Sequence, residues 1–282
     1  MQRRQFRDDV ELSIIGLGGL TLVGMEPKAA HRLVAEAIDR GVNYFDVAPA
    51  YGGGEAETKL GAALAPYRKN VFLACKTLQR EAVGARKDLE ESLRRLGTDY
   101  FDLYQFHALS QPSEIDEILG PGGAAEDFVR AREEGKVRHI GLTAHSVPAA
   151  LAMLDRFQLD SVMFPVNFVC YSQGDLGPQV LERARELSTA RIAIKALART
   201  RHRPDQARFR NCWYWPVEER SLARQALRFT LSEDVTAAIP PADESLFRWC
   251  VESAEEFVPL TSEERRELLQ RARGFTPIMS NR

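Results

Sequence analysis

Short apolar runs alternate with amphipathic stretches along almost the whole chain. Most of the runs are continuous, whereas a strand with one face in solvent would alternate apolar and polar residues. They therefore predict strands that are buried on both faces, as in a parallel sheet. Eight such runs occur, at residues 13–17, 43–47, 70–76, 100–107, 137–143, 161–167, 192–197 and 235–240.

The stretches between these runs carry apolar residues at helical spacing. In the first stretch Ala30, Leu33, Val34 and Ala37 fall on one face, and Gly41 follows as a helix stop. Strands therefore alternate with helices, which is typical of repeated βα units. The same helical spacing recurs around residues 89–96, 150–157, 180–187, 222–231 and 246–254.

Eight βα units in 282 residues predict a closed (β/α)8 barrel. A doubly wound sheet is the alternative, but it usually carries a G-x-G-x-x-G turn after its first strand, and residues 16–19 (GLGG) lack that spacing. We therefore expect an α/β protein in which a single TIM-barrel domain spans residues 1–282 and includes an N-terminal extension.

Two segments lie outside the eightfold pattern. Residues 261–264 (TSEE) form a capping box, which predicts an extra C-terminal helix that continues to about residue 273. Residues 199–216 form a long irregular stretch after the seventh strand. A loop of that length in a compact domain is usually functional or mobile.

Composition excludes several classes of function. The 38 basic and 40 acidic side chains nearly cancel, so no strong basic field is available to bind nucleic acid. No apolar run follows the charged start, and no window approaches the ~20 apolar residues of a membrane span. The four cysteines lack C-x-x-C spacing, which favours reduced thiols over disulfides or a metal site. We expect a cytoplasmic protein without bound metal; its oligomeric state stays open.

Four reactive residues follow consecutive predicted strands. Asp46 and Tyr51 follow the second strand, Lys76 ends the third, and His107 ends the fourth. Each residue alone could be a solvated group at the barrel rim. Because the carboxyl ends of barrel strands share one mouth, we expect all four side chains to converge there.

Together these residues fit carbonyl reduction. Hydride addition to a carbonyl carbon leaves negative charge on the oxygen, so a proton donor must stand beside it. Tyr51 is the candidate donor, and a nearby Lys76 ammonium would lower its pKa from ~10. Asp46 would hold Lys76 in its charged form. His107 would orient the carbonyl and donate a hydrogen bond to the developing oxyanion.

Several segments resemble the aldo-keto reductase family. Residues 43–52 (NYFDVAPAYG) are similar to the family signature, and the strand that ends in Lys76 and the His107 that follows DLY match it in order and spacing. Residues 135–141 (GKVRHIG) resemble the segment before the family's fifth strand. The resemblance runs from about residue 14 to 239 and weakens after 165. It implies a barrel reductase in which Tyr51 is the general acid, Asp46 and Lys76 tune it, and His107 orients the substrate.

The resemblance also implies an extended NADPH or NADH molecule across the barrel mouth, bound without a Rossmann fold. The family's Ser-Asn pair after the fifth strand corresponds to Thr143-Ala144, so the hydroxyl is kept and the amide is lost. His145 could replace the amide or be a rim histidine without a ligand. The glutamine of the sixth strand corresponds to Met163, and Asn167 could substitute for it.

Other cofactor positions also depart from the family pattern. Lys195 is a candidate for the cofactor phosphates, with a salt bridge at the rim as its alternative reading. After the eighth strand Asp243 and Glu244 stand where reductases that prefer NADPH carry basic and hydroxyl groups. Two carboxylates would repel a 2′-phosphate, so these residues favour NADH, which lacks that phosphate. The positions that we assign to the cofactor are Gly19, Leu20, Asp46, Thr143, His145, Asn167, Lys195, Asp243 and Arg248.

The stretch at 199–216 allows two interpretations. Its basic residues could clamp a phosphate or an acidic substrate, or belong to a solvated loop. Trp213, Tyr214 and Trp215 could close over the substrate or anchor the loop on the rim. The basic residues are Arg199, Arg201, His202, Arg203, Arg208 and Arg210.

Two other functions remain open from the sequence. Some members of this family act as cofactor-sensing regulatory subunits with little turnover. A Schiff-base aldolase would use Lys76 as its nucleophile, although Asp46 should keep that amine charged. The favoured function is reduction of a small-molecule aldehyde or ketone to an alcohol, and the reverse oxidation.

Overall fold

An antiparallel hairpin opens the chain and closes one end of the barrel. In the computed structural model, which describes residues 1–202, 209 and 211–281, the hairpin consists of strands β1 (Arg3–Arg7) and β2 (Val10–Ser13). The Phe6 ring lies 5.0 Å from that of Phe72, at the start of a barrel strand. The N-terminal extension therefore covers the amino end of the barrel strands, opposite the predicted site.

Eight parallel strands form the barrel, which confirms the predicted fold class and excludes the doubly wound sheet. The barrel strands, β3 to β9 and β12, pair in chain order, and the Ala238 amide donates to the Ile14 carbonyl at 2.9 Å to join the last strand to the first. In chain order the strands after the hairpin are β3 (Gly16–Gly18), β4 (Tyr44–Asp46), β5 (Phe72–Thr77), β6 (Phe101–Leu109), β7 (Val137–Ala144), β8 (Ser161–Pro165), β9 (Ala190–Ile194), β10 (Ala198–Arg201), β11 (Tyr214–Pro216) and β12 (Ala237–Ile239).

Helices surround the barrel and bury the apolar faces that the sequence predicts. Leu33 and Val34 of the first helix are buried, as are Leu89 and Leu227 of later helices, whereas Leu187 of the predicted 180–187 helix is 40% exposed. The capping box forms as expected, since the Thr261 hydroxyl accepts from the Glu264 amide and the Glu264 carboxylate accepts from the Thr261 amide. The helices are α1 (Pro27–Asp39), α2 (Glu55–Leu64), α3 (Ala82–Leu96), α4 (Ser113–Leu119), α5 (Ala124–Glu133), α6 (Val147–Arg156), α7 (Phe168–Gln173), α8 (Pro178–Glu186), α9 (Arg220–Ser232), α10 (Glu244–Glu255) and α11 (Ser262–Arg271).

The apolar core has two parts. The larger part lies between the sheet and the helices, and the smaller part fills the barrel interior with side chains such as Leu103, Met163 and Ile192. The four cysteines are buried and free. None of the helices in the described ranges is long and apolar enough to cross a membrane.

Two local predictions were wrong. The seventh strand ends at Ile194, because Lys195 adopts a φ of +64°, which interrupts the extended backbone that the apolar run predicts. The stretch at 199–216 is not irregular throughout, since β10 and β11 pair as an antiparallel hairpin. This pairing buries Tyr214, so the aromatic run partly serves the core. Residues 203–208 and 210, and with them Arg203, Arg208 and Arg210, lie outside the described residues.

Gly61 of α2 marks a close approach between two helices. A Cβ at this position would lie 2.5 Å from the Leu96 carbonyl oxygen and 2.6 Å from its Cα, so α2 and α3 would have to separate. We expect Gly61→Ala to lower the free energy of unfolding by roughly 1–3 kcal/mol, as overpacking does, even though alanine is the better helix former. Urea denaturation measures this loss.

Gly274→Ala is the matched control, because a Cβ there meets no described atom within 4 Å. Equal losses of stability in the two variants would contradict the packing explanation.

Candidate active site

A cavity of about 230 Å³ opens at the carboxyl ends of the barrel strands. Its lining includes Asp46, Tyr51, Lys76 and His107. The parallel register explains this convergence, because Asp46 ends β4, Lys76 lies near the end of β5, and His107 lies near the end of β6. The fold therefore brings together the four residues that the sequence singled out.

Lys76 connects two of the other three residues. Its Nζ donates to Asp46 Oδ1 and, at 3.1 Å, to the Val47 carbonyl oxygen, and it lies 3.2 Å from the Tyr51 hydroxyl. Asp46 and Lys76 are only 3% and 1% exposed. A buried ammonium is thus held between a carboxylate and a phenol that faces the cavity.

Two further polar residues support Asp46. Gln105 Nε2 donates to Asp46 Oδ2 at 3.2 Å, and the Tyr44 hydroxyl lies 3.5 Å from the same oxygen. The sequence analysis missed both residues, although alternation along a strand could have found them. Gln105 lies two residues before His107, so both side chains point to the same face of β6.

The protonation states differ in part from the expectation. Burial lowers the pKa of Lys76, but the charge and hydrogen bond of Asp46 outweigh burial and leave that pKa above its ordinary value. Burial raises the pKa of Tyr51 above 10, and the Lys76 charge opposes this increase without overcoming it. The expected direction of the Lys76 effect is confirmed, while the expected net lowering of the Tyr51 pKa was wrong.

His107 is a neutral imidazole in this environment. Burial lowers its pKa well below 6.5, and the Lys76 charge acts in the same direction. Its ring meets that of Tyr51 edge to face, with 5.9 Å between centroids. Arg80 Nη2 donates to the His107 carbonyl oxygen at 2.9 Å and is itself held by Glu114, which fixes the end of β6.

Part of the residue set that we assigned to the cofactor lines the same cavity. Leu20, Thr143, His145 and Lys195 line it, and Gly19 is adjacent to the lining residue Gly18. Thr143 Oγ1 accepts from the Ala108 amide at 2.7 Å, which leaves its hydroxyl proton free to donate elsewhere. These residues could contact a ligand that also reaches Tyr51.

The other assigned positions have partners of their own. Asn167 caps α7 by accepting from the Cys170 amide at 2.8 Å, and it does not line the cavity. Asp243 caps α10 through the amides of Ser245 and Leu246. Arg248 pairs with Glu36 and Glu244.

Lys195 occupies an unusual position beside the catalytic candidates. Its side chain is 8% exposed, and its Nζ lies 3.2 Å from His145 Nε2 and 5.6 Å from the Trp213 ring centroid. Burial lowers the pKa of Lys195 to about 7, a shift that Cys170 opposes and the Lys76 charge assists. Burial and Lys195 together lower the pKa of His145 to about 3. The rim salt bridge that was the alternative interpretation of Lys195 is absent from the described part of the chain.

Two of the three aromatic residues in the run at 213–215 line the cavity, and one of them, Trp213, is also 47% exposed. Trp213 and Tyr214 line the cavity, whereas Trp215 donates from Nε1 to Glu218 at 2.6 Å and anchors the hairpin. Asn211 Nδ2 donates to the carbonyl oxygens of Leu20 and Val23 at 3.0 Å, which ties the segment before β11 to the loop after β3.

Two arginines of the basic cluster contact the C-terminal segment of the chain. The Arg199 guanidinium lies 4.9 Å from the Phe275 ring centroid, and Arg201 Nε donates to the Ile278 carbonyl at 3.2 Å. These contacts do not support a phosphate clamp by those two arginines. In the same described residues no group of three or more His, Cys, Asp or Glu side chains is placed to hold a metal ion.

Two proteins of Bacillus subtilis with oxidoreductase or reductase names are similar to the chain in sequence. Aldo-keto reductase YhdN of Bacillus subtilis is 37% identical over 211 residues, which cover 67% of this chain and 60% of YhdN. The uncharacterized oxidoreductase YqkF of the same organism is 32% identical over 155 residues, which cover 51% of this chain and 48% of YqkF. The chain thus aligns with about half of each of these relatives.

Solved structures share the fold over nearly the whole chain. The holo form of aldo-keto reductase AKR11C1 from Bacillus halodurans has a TM-score of 0.75 at 24% identity and covers 96% of both chains. An aldo-keto reductase from Klebsiella pneumoniae in complex with NADPH has a TM-score of 0.70 at 21% identity, over 97% of this chain and 94% of that one. The sequence model of the Aldo/keto reductase family matches residues 14–208, more than half of the chain. The chain therefore belongs to the aldo/keto reductase family.

Proposed function

We propose that the protein is an NAD(P)H-dependent oxidoreductase that reduces small aldehydes or ketones to alcohols and catalyses the reverse oxidation. The contact of the Lys76 ammonium with both Asp46 and the Tyr51 hydroxyl, at the wall of an open cavity, carries this proposal. The family membership and the oxidoreductase names of its relatives support it.

The residues on the cavity wall fit a nicotinamide dinucleotide. Thr143 offers a hydroxyl proton, and Lys195 offers a nitrogen without a carboxylate partner among the described side chains, as a phosphate group would require. Gly18 and Leu20 supply backbone at the same wall. When bound, the nicotinamide supplies the hydride that adds to the carbonyl carbon.

Tyr51 donates the proton in the proposed reduction. The substrate carbonyl oxygen would lie within hydrogen-bond reach of Tyr51 Oη and of the neutral His107 ring, which holds it in place. As negative charge develops on that oxygen, the Tyr51 proton moves to it, and the Lys76 ammonium stabilises the phenolate left behind. Asp46 keeps Lys76 charged throughout. Alcohol oxidation follows the same path in reverse.

At neutral pH Tyr51 begins the reduction as a protonated acid. Its ordinary pKa of ~10 already ensures this, and burial raises that pKa further. Lys76 is positioned to stabilise the phenolate that forms during the reaction. The same wall is unsuited to an aldolase nucleophile at Lys76, because the Asp46 contact raises the pKa of that amine.

We expect NADH to bind at least as tightly as NADPH. Asp243 does not line the cavity but follows its lining residue Ala242 in the chain, and its carboxylate accepts from two amides at the N-terminus of α10. A 2′-phosphate placed there would meet this carboxylate and Glu244, at a cost of roughly 1–4 kcal/mol. That cost corresponds to roughly ten- to several-hundredfold weaker binding. Dissociation constants for both cofactors test the expectation.

Changing Asp243 to Asn and Glu244 to Gln should then favour NADPH, and asparagine can still cap α10. Glu252→Gln is the matched control. It removes a negative charge from the same helix, but this charge pairs with Arg220 and does not lie next to Ala242 in the chain. A strong NADPH preference that the double substitution leaves unchanged would contradict this assignment.

Initial rates with NADH and NADPH against a panel of aldehydes, ketones and sugars test the proposed function. We expect cofactor oxidation that depends on a carbonyl compound. Tight cofactor binding without turnover on the whole panel would instead support a cofactor-sensing regulatory protein.

A further inference from the structure

The cavity contains two lysine amines in opposite states. Lys76 Nζ contacts the Asp46 carboxylate, the Tyr51 hydroxyl and a backbone carbonyl. These contacts keep the amine protonated, so it has no lone pair available to attack a carbonyl carbon. Lys195 Nζ has one hydrogen-bond partner among the described residues, the His145 ring, and no carboxylate there. One amine is held as a cation, and the other has an uncharged base beside it.

The backbone holds Lys195 in this position. Its φ of +64° lies in the left-handed region, which is uncommon for a residue with a side chain, and the Ala198 amide donates to its carbonyl oxygen at 2.9 Å to close the turn. Lys195 lies at this turn and is one of the residues that line the cavity. Strained residues of this kind cluster at ligand sites.

We propose that Lys195 is a covalent aldehyde site, at which a small aldehyde that enters the cavity forms a reversible imine with Nζ. The nitrogen lone pair attacks the carbonyl carbon while the C=O π pair moves to oxygen, and one N–H proton passes to that oxygen to give a carbinolamine. The carbinolamine hydroxyl takes up the second N–H proton and leaves as water, while the nitrogen lone pair forms the C=N bond. Amine and aldehyde give imine and water, so no oxidant or reductant is needed.

The surroundings of Lys195 support a neutral amine. The titratable groups that face it are His145 after β7, Cys170 of α7 and Lys76 of β5. Burial lowers the pKa of Lys195 to about 7, so roughly half of the amine is unprotonated at pH 7. An unperturbed lysine, with a pKa of ~10.4, has a neutral fraction roughly three orders of magnitude smaller at that pH.

The proposal goes beyond carbonyl reduction and does not depend on turnover. Lys195 is also our candidate for the cofactor phosphates, which need the protonated amine, whereas the imine consumes the neutral one. Aldehyde and cofactor should therefore exclude each other at this nitrogen. In an excess of aldehyde over cofactor, the imine would form on the cofactor-free protein and prevent the cofactor from binding at Lys195.

Reductive trapping on the unaltered protein tests the proposal. The protein without cofactor is incubated at pH 7 with benzaldehyde and sodium cyanoborohydride, and the labelled lysines are mapped by peptide mass spectrometry. We expect the label chiefly on Lys195, with little on Lys76, and a labelling rate that reaches half its maximum near pH 7. The exposed residues Lys28, Lys69 and Lys87 serve as internal references.

Saturating NAD+ or NADP+, which cannot reduce the aldehyde, should protect Lys195 and leave the references unchanged. Labelling of Lys195 without protection would support the imine site and contradict our cofactor assignment instead. Lys195→Arg keeps a cation but cannot form an imine, so it should lose the label while unfolding at a similar temperature. Labelling at pH 7 that is no greater on Lys195 than on the exposed references would overturn the proposal.

Discussion

Tyr51→Phe should lose carbonyl reduction by about 10²–10⁴-fold while keeping the affinity for the cofactor, because the proton donor is removed and the barrel is untouched. The turnover number at saturating cofactor measures the first effect, and titration of nicotinamide fluorescence measures the second. In the unaltered protein, reduction should decline as the pH rises through the pKa of Tyr51. Alcohol oxidation, which needs the phenolate, should increase over the same range.

Tyr44→Phe is the matched control for this substitution. It removes a hydroxyl that lies 3.5 Å from Asp46 and is buried in the same region, but that hydroxyl makes no described contact with Lys76. The weak hydrogen bond that it loses is worth about 1 kcal/mol at most. Wild-type turnover in Tyr51→Phe, or equal losses in the two variants, would remove Tyr51 from the proposed mechanism.

Lys76→Met should abolish activity and also destabilise the protein. Without the ammonium, the Lys76 charge no longer opposes the effect of burial on the Tyr51 pKa. The phenolate that forms during reduction is then less stable, and the proton transfer is slower. The buried Asp46 carboxylate also loses its counterion, and breaking such a pair costs roughly 3–5 kcal/mol. Steady-state kinetics and urea denaturation measure the two effects separately.

The double variant Lys76→Met with Asp46→Asn separates charge from packing. It removes the unpaired carboxylate, so it should recover part of the lost stability while remaining inactive. Equal stability of the single and double variants would show that the cost does not come from the buried charge. An active Lys76→Met enzyme with an unchanged pH–rate profile would show that Lys76 does not tune Tyr51.

The pattern of apolar residues was sufficient to predict the barrel. The positions of Asp46, Lys76 and His107 at strand ends were sufficient to predict that their side chains converge. Both inferences rest on local pattern and on a fixed topology. The degree to which an individual side chain such as Tyr51 is buried cannot be predicted from the sequence in the same way. The expected net pKa of Tyr51 was therefore wrong, because the sequence shows the neighbouring charge and not the surrounding dielectric.

Features that depend on distant partners were also missed. The hairpin of β10 and β11 pairs two strands that are separated by a long connection. The capping of α10 by Asp243 depends on the residue at which that helix begins. Alternation along β6 could have indicated Gln105, since it shares a face with His107. The left-handed conformation of Lys195 has no sequence signal, because lysine rarely adopts it.

Isotope transfer tests the central claim most directly. The protein is incubated with an aldehyde and with NADH or NADPH deuterated at both C4 positions, and the alcohol is analysed by mass spectrometry and NMR. We predict one deuterium on the former carbonyl carbon for each cofactor molecule oxidised, and almost no labelled alcohol with Tyr51→Phe. Cofactor that binds to the protein without yielding deuterated alcohol from any carbonyl compound would contradict the account.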